Sequence, residues 1–199
     1  MKQLISFFAV MLFSLSAANA QQDTGNPQVT LHTNHGDIRL ELFPNEAPKS
    51  VENFLQYARD GFYNGTVFHR VISYFMIQGG GLEVVEGENG TNLIAKTTRD
   101  PIVNESDNGL KNDRGTIAMA RTNDVDSATS QFFINVEKNG SLDHVGEENS
   151  RASGYAVFGR VIDGMDVVDD IRFVETGAQD VPLKPVIIES VEINSDPSG

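Results

Sequence analysis

Cysteine and tryptophan are both absent from the 199 residues. Without cysteine there are no disulfides, thiol nucleophiles, cysteine-based zinc sites or lipid-modified N-terminal cysteine, so the fold rests on packing alone. Without tryptophan, and with only 4 tyrosines, a carbohydrate-binding or purely structural β-barrel is disfavoured, because such proteins use exposed aromatic platforms. Basic residues are few: 15 Lys and Arg stand against 28 Asp and Glu, a net charge of -13. With no local basic patch, such a surface repels phosphate backbones and anionic lipid, so no nucleic acid and no membrane surface is expected as a partner. Gly79-Gly80-Gly81 lacks the Lys-Ser/Thr pair of a phosphate loop, no Ser-His-Asp constellation is evident, and no cofactor is expected. His32 and His35 flank one turn without a third ligand of suitable spacing. Asn123–Ser127 lacks the glycine and distal glutamate of a calcium loop. Both are read as solvated turns, and no metal is expected. No internal repeat suggests a propeller or solenoid.

What is present fits one domain with a short extra segment; 39% hydrophobic residues suffice for a sizeable core. Lys2, the apolar run Leu4–Leu15 and Ala18-Asn19-Ala20 form the pattern of a secretory signal peptide, residues 1–20, cleaved after Ala20. The run is shorter than the ~20 residues of a bilayer span. A polar leader (21–28), a folded domain (29–195) and a tail (196–199) follow. Loss of the first segment leaves 14 basic residues against 28 acidic ones, a charge of -14. A cysteine-free, exported and unlipidated chain suits a bacterial periplasm.

Within the domain, Val29, Leu31, Ile38, Leu40 and Leu42 alternate with polar residues about Asn34-His35-Gly36, a β-hairpin pattern. Pro48 opens a helix with Val51, Phe54, Leu55 and Ala58 on one face and Gly61 at its stop. Thr66–Gln78 is β-branched and aromatic; residues 82–114 read as a long ordered loop with brief strands. Strands are expected at 115–120, 131–136, 155–161 and 186–193. Met165, Val167, Val168 and Ile171 space a second helix. Many short strands and two helices predict a mainly all-β barrel or sandwich.

The chemistry-bearing stretch is Phe68-His69-Arg70-Val71-Ile72-Ser73-Tyr74-Phe75-Met76-Ile77-Gln78-Gly79-Gly80-Gly81. As a strand it turns Arg70 and Ile72 to one face and Val71 to the other, and a kink near Ser73-Tyr74 would bring Phe75, Met76 and Gln78 beside the arginine. By pattern alone, core aromatics with a surface cation account for it equally well. Together with Gly115–Arg121, Ser130–Asn135, Leu142-Asp143 and Gly154–Gly159, in that order, it resembles the cyclophilin family of peptidyl-prolyl cis-trans isomerases, and the likeness runs from about Val29 to Ile193. It is similar above all to periplasmic cyclophilins of Gram-negative bacteria.

The resemblance implies a closed eight-stranded antiparallel β-barrel capped by two α-helices, and a monomer acting without covalent catalysis on proline-containing unfolded or partly folded polypeptides. It makes Arg70 the catalytic residue and Phe75, Met76, Phe133 and Leu142 the proline pocket. Gln78, Ala120, Arg121, Gln131 and Tyr155 become further substrate-binding positions. Arg121 stands where many relatives have asparagine; that position works largely through its backbone, so the change is expected to be tolerated. Ser141 replaces a tryptophan found in eukaryotic members, which implies weak cyclosporin binding, and Tyr155 replaces a histidine after a lengthened 144–155 segment. The rival reading is a binding module that captures proline segments as a chaperone without catalysis.

Overall fold

The computed structural model describes residues 25–87 and 90–196. The signal peptide expected from the sequence, residues 21–24 of the leader and residues 197–199 of the tail lie outside the described residues. Among the described residues no helix is long and apolar enough to cross a membrane.

The first hairpin pairs β1 (Gln28–Thr33) with β2 (Gly36–Leu42), in register from Gln28↔Glu41 to Thr33↔Gly36. Its inward set, Val29, Leu31, Ile38, Leu40 and Leu42, is wholly buried, which is what the period-two alternation requires. The first helix, α1, spans Pro48–Arg59 with proline in its first turn; Val51, Phe54, Leu55, Tyr57 and Ala58 are buried. Glu105 covers its exposed N-terminal amides, accepting from Lys49 N (3.0 Å), Ser50 N (2.8 Å) and Ser50 Oγ (2.7 Å). Gly61, at φ 65°, ends it.

Short strands follow: β3 (Thr66–Val67), β4 (Arg70–Ile72), β5 (Met76–Gly79), β6 (Leu82–Gly87), β7 (Gly90–Ala95), β8 (Thr116–Met119), β9 (Phe132–Asn135) and β10 (Val157–Asp163). The second helix, α2 (Met165–Arg172), buries Val168 and Ile171, and β11 (Ile187–Ser195) closes the described chain. Helix α1 packs on β10 and β11; α2 packs on β2, β4 and β5. Phe54 is the hub of the core, with ring centroids 5.1 Å from Tyr63, 5.6 Å from Phe132 and 5.4 Å from Phe158.

Two expectations need correction. Among the described residues, the anticipated closed barrel of eight strands is an eleven-stranded sheet in the order β4-β5-β9-β8-β10-β2-β1-β11-β3-β6-β7, and its end strands β4 and β7 are not paired with each other. The reason is the break at Phe68-His69. The first half of Thr66–Ile72 pairs with β11 and β6, and the second half pairs with β5 at the other end of the order. Covalent chain, not a ladder of hydrogen bonds, joins these parts. The second correction concerns residues 82–95, read as loop with brief strands, which form a hairpin of two six-residue strands paired from Leu82↔Ala95 to Gly87↔Gly90. This ribbon lies at the sheet edge, and Val85 and Ile94 on its two strands are exposed, so these apolar positions do not mark a buried face. From residue 96 to 114 the chain is irregular but ordered by its side chains, Glu105 and Asn112 among them.

Candidate functional site

Strands β4 and β5 meet across the tight turn Ser73–Phe75, with Arg70↔Gln78, Val71↔Ile77 and Ile72↔Met76 in register. Val71 and Ile77 enter the core, and Arg70, Ile72, Met76 and Gln78 take the other face. Strand β9 lies beside β5 and sets Phe133 opposite Gln78; β8 sets Ala118 opposite Phe133. The close strand approaches depend on Gly80, at φ 81°, where a Cβ would sit 2.6 Å from the Phe132 ring.

Arg70, Phe75, Met76, Gln78, Ala120, Arg121, Phe133, Leu142 and Tyr155 thereby line one cavity of about 120 Å³. Gln131 is the sequence-predicted residue that does not line it. Its side-chain carbonyl accepts from the Gln78 amide at 2.9 Å, and it lines an adjoining hollow of about 260 Å³ shared with Gln78, Ala120 and Arg121. The cavity is therefore apolar on Phe75, Met76, Phe133 and Leu142 and cationic at Arg70. Among the described residues no group of three His, Asp or Glu could hold a metal. His32, on β1, is occupied by Asp37 (2.8 Å) and Glu192 (3.3 Å). The Asp124–Ser127 turn is held by its own hydroxyl and carboxylate contacts.

Several residues that the sequence reading did not name set this geometry. Asp180 approaches Arg70, with Oδ2 3.5 Å from Nε. It sits in a 3₁₀ turn (Ala178–Asp180) where Gln179 and Asp180 both have left-handed φ, 60° and 61°. A chain of buried amides fixes the apolar walls. Asn139 Nδ2 donates to Phe75 O (2.8 Å) and Asn135 Oδ1 (2.7 Å), and Asn135 Nδ2 donates to Asn112 Oδ1 (3.2 Å). Asn112 Nδ2 then donates to Leu142 O (3.1 Å). Unpartnered, such amides would cost ~1–3 kcal/mol each, so their pairing locks the main chain that carries Phe75 and Leu142. Asn135 stood within a quoted motif. Asn112 and Asn139 gave no signal, since a lone asparagine reads as a turn residue until its burial is known.

The domain is mainly β with two helices, and its cavity sets the apolar side chains Phe75, Met76, Phe133 and Leu142 beside the guanidinium groups of Arg70 and Arg121. The chain belongs to the cyclophilin-type peptidyl-prolyl cis-trans isomerases, whose family pattern it matches over residues 28–193. It is 55% identical over 170 residues to peptidyl-prolyl cis-trans isomerase B of Escherichia coli K12, covering 83% of this chain and 99% of that protein. It is 48% identical over 196 residues to peptidyl-prolyl cis-trans isomerase A of Dickeya dadantii, covering 96% and 97% respectively. Among solved structures, a Cryptosporidium parvum cyclophilin-type isomerase superposes with TM-score 0.65 at 31% identity, covering 86% of this chain and 99% of that one. The same isomerase has also been crystallised in the presence of the dipeptide Ala-Pro, with the same score and identity over 85% and 99%.

Proposed function

We propose that the cavity holds the proline ring of an extended polypeptide and that Arg70 accelerates rotation about the bond preceding it. Amide resonance sets a barrier of ~18 to 20 kcal/mol, and unaided X-Pro exchange takes ~10 to 100 s. Turnover near 10³ per second needs a barrier of about 13 kcal/mol, so about 6 kcal/mol must be removed. As the amide twists, its nitrogen pyramidalises and regains a lone pair. A guanidinium N–H donates to that lone pair in the twisted state and finds no such acceptor in either planar isomer, which is differential binding without a covalent step. Arginine suits the task because it cannot lose its proton at working pH.

One observation carries this reading: Arg70 opens onto the same cavity as Phe75, Met76, Phe133 and Leu142. Those walls anchor the ring and exclude water, which strengthens the cation's contact. Asp180 takes the Nε side of the guanidinium, leaving the Nη groups to the substrate. Gln78, Ala120, Arg121 and Gln131 would line the path of flanking residues. The Ala-Pro dipeptide used with the Cryptosporidium relative agrees with a proline ligand.

The test is a proline-specific turnover assay on the mature chain. Arg70→Ala should lower kcat/KM by about 10² to 10³ with an unchanged circular dichroism spectrum. A variant turning over near the wild-type rate sinks the assignment, and affinity for proline peptides without acceleration by the wild type would point to a holding chaperone. We further propose export through cleavage after Ala20, with proteins folding in the periplasm as clients, and weak cyclosporin inhibition, since Ser141, exposed and next to Leu142 in the chain, is small where eukaryotic members carry tryptophan.

A further inference from the structure

We propose that Arg121 is a positioning residue for substrate, acting through its side chain: it ties the Ser150–Gly154 segment and the Tyr155 ring into one wall of the cavity. This rests on reading the cavity as the proline site. From the resemblance, the position of Arg121 was expected to work largely through its backbone, so that arginine in place of asparagine would be tolerated. Its guanidinium is instead fully engaged. Nε (3.1 Å) and Nη2 (2.7 Å) both donate to Gly154 O, and Nη2 also donates to Ser150 O (2.6 Å). Nη1 donates to Ser150 Oγ (2.8 Å) and Thr122 O (2.9 Å). The guanidinium carbon lies 4.5 Å from the centroid of the Tyr155 ring, which meets Phe133 edge-on at 5.7 Å.

This arrangement uses what only arginine has: a planar fork of donors for several carbonyls at once, and a face that stacks on an aromatic ring. The strapped segment is held on its other side by Asn104 Nδ2, which donates to Ser153 O (3.3 Å) and Gly154 O (3.4 Å), by Ser106 Oγ, which donates to Ser153 O, and by Val145 N, which donates to Ala152 O (2.9 Å). Arg121 is the group that ties half-buried Ser150 to the cavity side. At Gly154 it also abuts the main chain of the opposite wall. Gly154 has φ 64°, and a Cβ there would lie 2.5 Å from His144 N and 2.8 Å from Leu142 O. Contact therefore runs from Arg121 through Gly154 to Leu142, and from Arg121 through Tyr155 to Phe133. Both routes end on the proline walls, while Arg70 stands on the far strand pair. With its donors committed internally, Arg121 contributes the shape of the wall, and its loss should weaken binding of substrate more than the rotation step.

The experiment measures kcat and KM separately, by NMR exchange on an Ala-Pro-containing peptide, for the mature chain and its variants. Arg121→Ala should raise KM about tenfold with kcat within about twofold. Arg121→Lys keeps the charge but not the fork, and should still raise KM about fivefold. Because the arginine acts through the tyrosine, Tyr155→Ala in the Arg121→Ala background should add less than a further ~twofold. A wild-type KM in Arg121→Ala, a fall in kcat alone, or full additivity in the double variant overturns the proposal. If Arg121→Ala does not fold, Arg121→Lys decides, and a wild-type KM there overturns it equally. Failure of the underlying reading looks different: Arg70→Ala would then keep its turnover.

Discussion

Phe132 and Phe133 are neighbours on β9, chemically identical and both almost fully buried, at 0% and 4% exposure, yet they belong to different parts of the protein. Phe132 is surrounded: Phe54 and Tyr63 each lie 5.6 Å away and Phe68 lies 6.1 Å away, ring centroid to centroid. Phe133, one residue on and therefore on the opposite face, belongs to a small cluster with Met76, Ala118 and Val157, edged by half-buried Phe75, Leu142 and Tyr155. Exposure alone does not distinguish them. What differs is that one packing shell is closed and the other borders a cavity of about 120 Å³, so the strand serves stability on one side and, in the function proposed above, binding on the other.

Substitutions on the two faces should separate these roles. Phe132→Ala should cost ~3–5 kcal/mol, because its neighbours cannot collapse into the space, and lower Tm by about 10 °C in a thermal melt. The folded fraction should keep its KM. Phe133→Ala should invert the pattern, costing about 1–2 kcal/mol because its shell is already open, while raising KM about tenfold. If the two variants proved equally unstable and equally active, the division would fail.

A smaller effect is expected where strain is stored beside the site. Gln179 lies in the left-handed region next to Asp180, on the turn that faces Arg70. Gln179→Gly should stabilise the protein by about 0.5–1 kcal/mol in urea unfolding, since glycine takes that conformation without a Cβ clash. No gain would mean that the turn is not strained.

The smallest effect is a pair of opposed pH dependences. Burial holds the His69 imidazole below its ordinary pKa, with the adjacent Arg70 charge acting in the same direction. The unfolded chain therefore binds the proton first, and this stability is lost as pH falls through the unfolded value of ~6.5. His32, on the hairpin, is raised chiefly by its hydrogen bond to Asp37. Its contribution is present below ~6.5 and fades as pH rises through the folded value. Urea midpoints at pH 5.5 and 7.5 should shift in opposite senses in His69→Gln and His32→Gln, with the His69 effect larger because His32 is screened by solvent. Parallel shifts would contradict the assigned environments.

Much of this was legible from residue order. Hairpin β1–β2, both helices and the strands around Phe133 and Val157 each present a continuous apolar face, and such faces leave a period of two or 3.6 in the chain. The stretch around Arg70 carried its own geometry, because a strand, a kink and a second strand must return Met76 and Gln78 to the arginine's side. The β6–β7 ribbon was harder to read, since a half-exposed edge needs no strict alternation.

Residue order was enough to set which side chains are apolar, which segments pair locally and where the cation of Arg70 falls relative to Phe75 and Met76. Long-range packing was needed to leave β4 and β7 unpaired with each other and to bring Asp180, more than a hundred residues along the chain, to Arg70. It likewise decided that the donors of Arg121 are spent on Ser150 and Gly154. Those pairings join groups whose separation along the chain carries no period, and a polar side chain shows its partner only when folding takes both out of water.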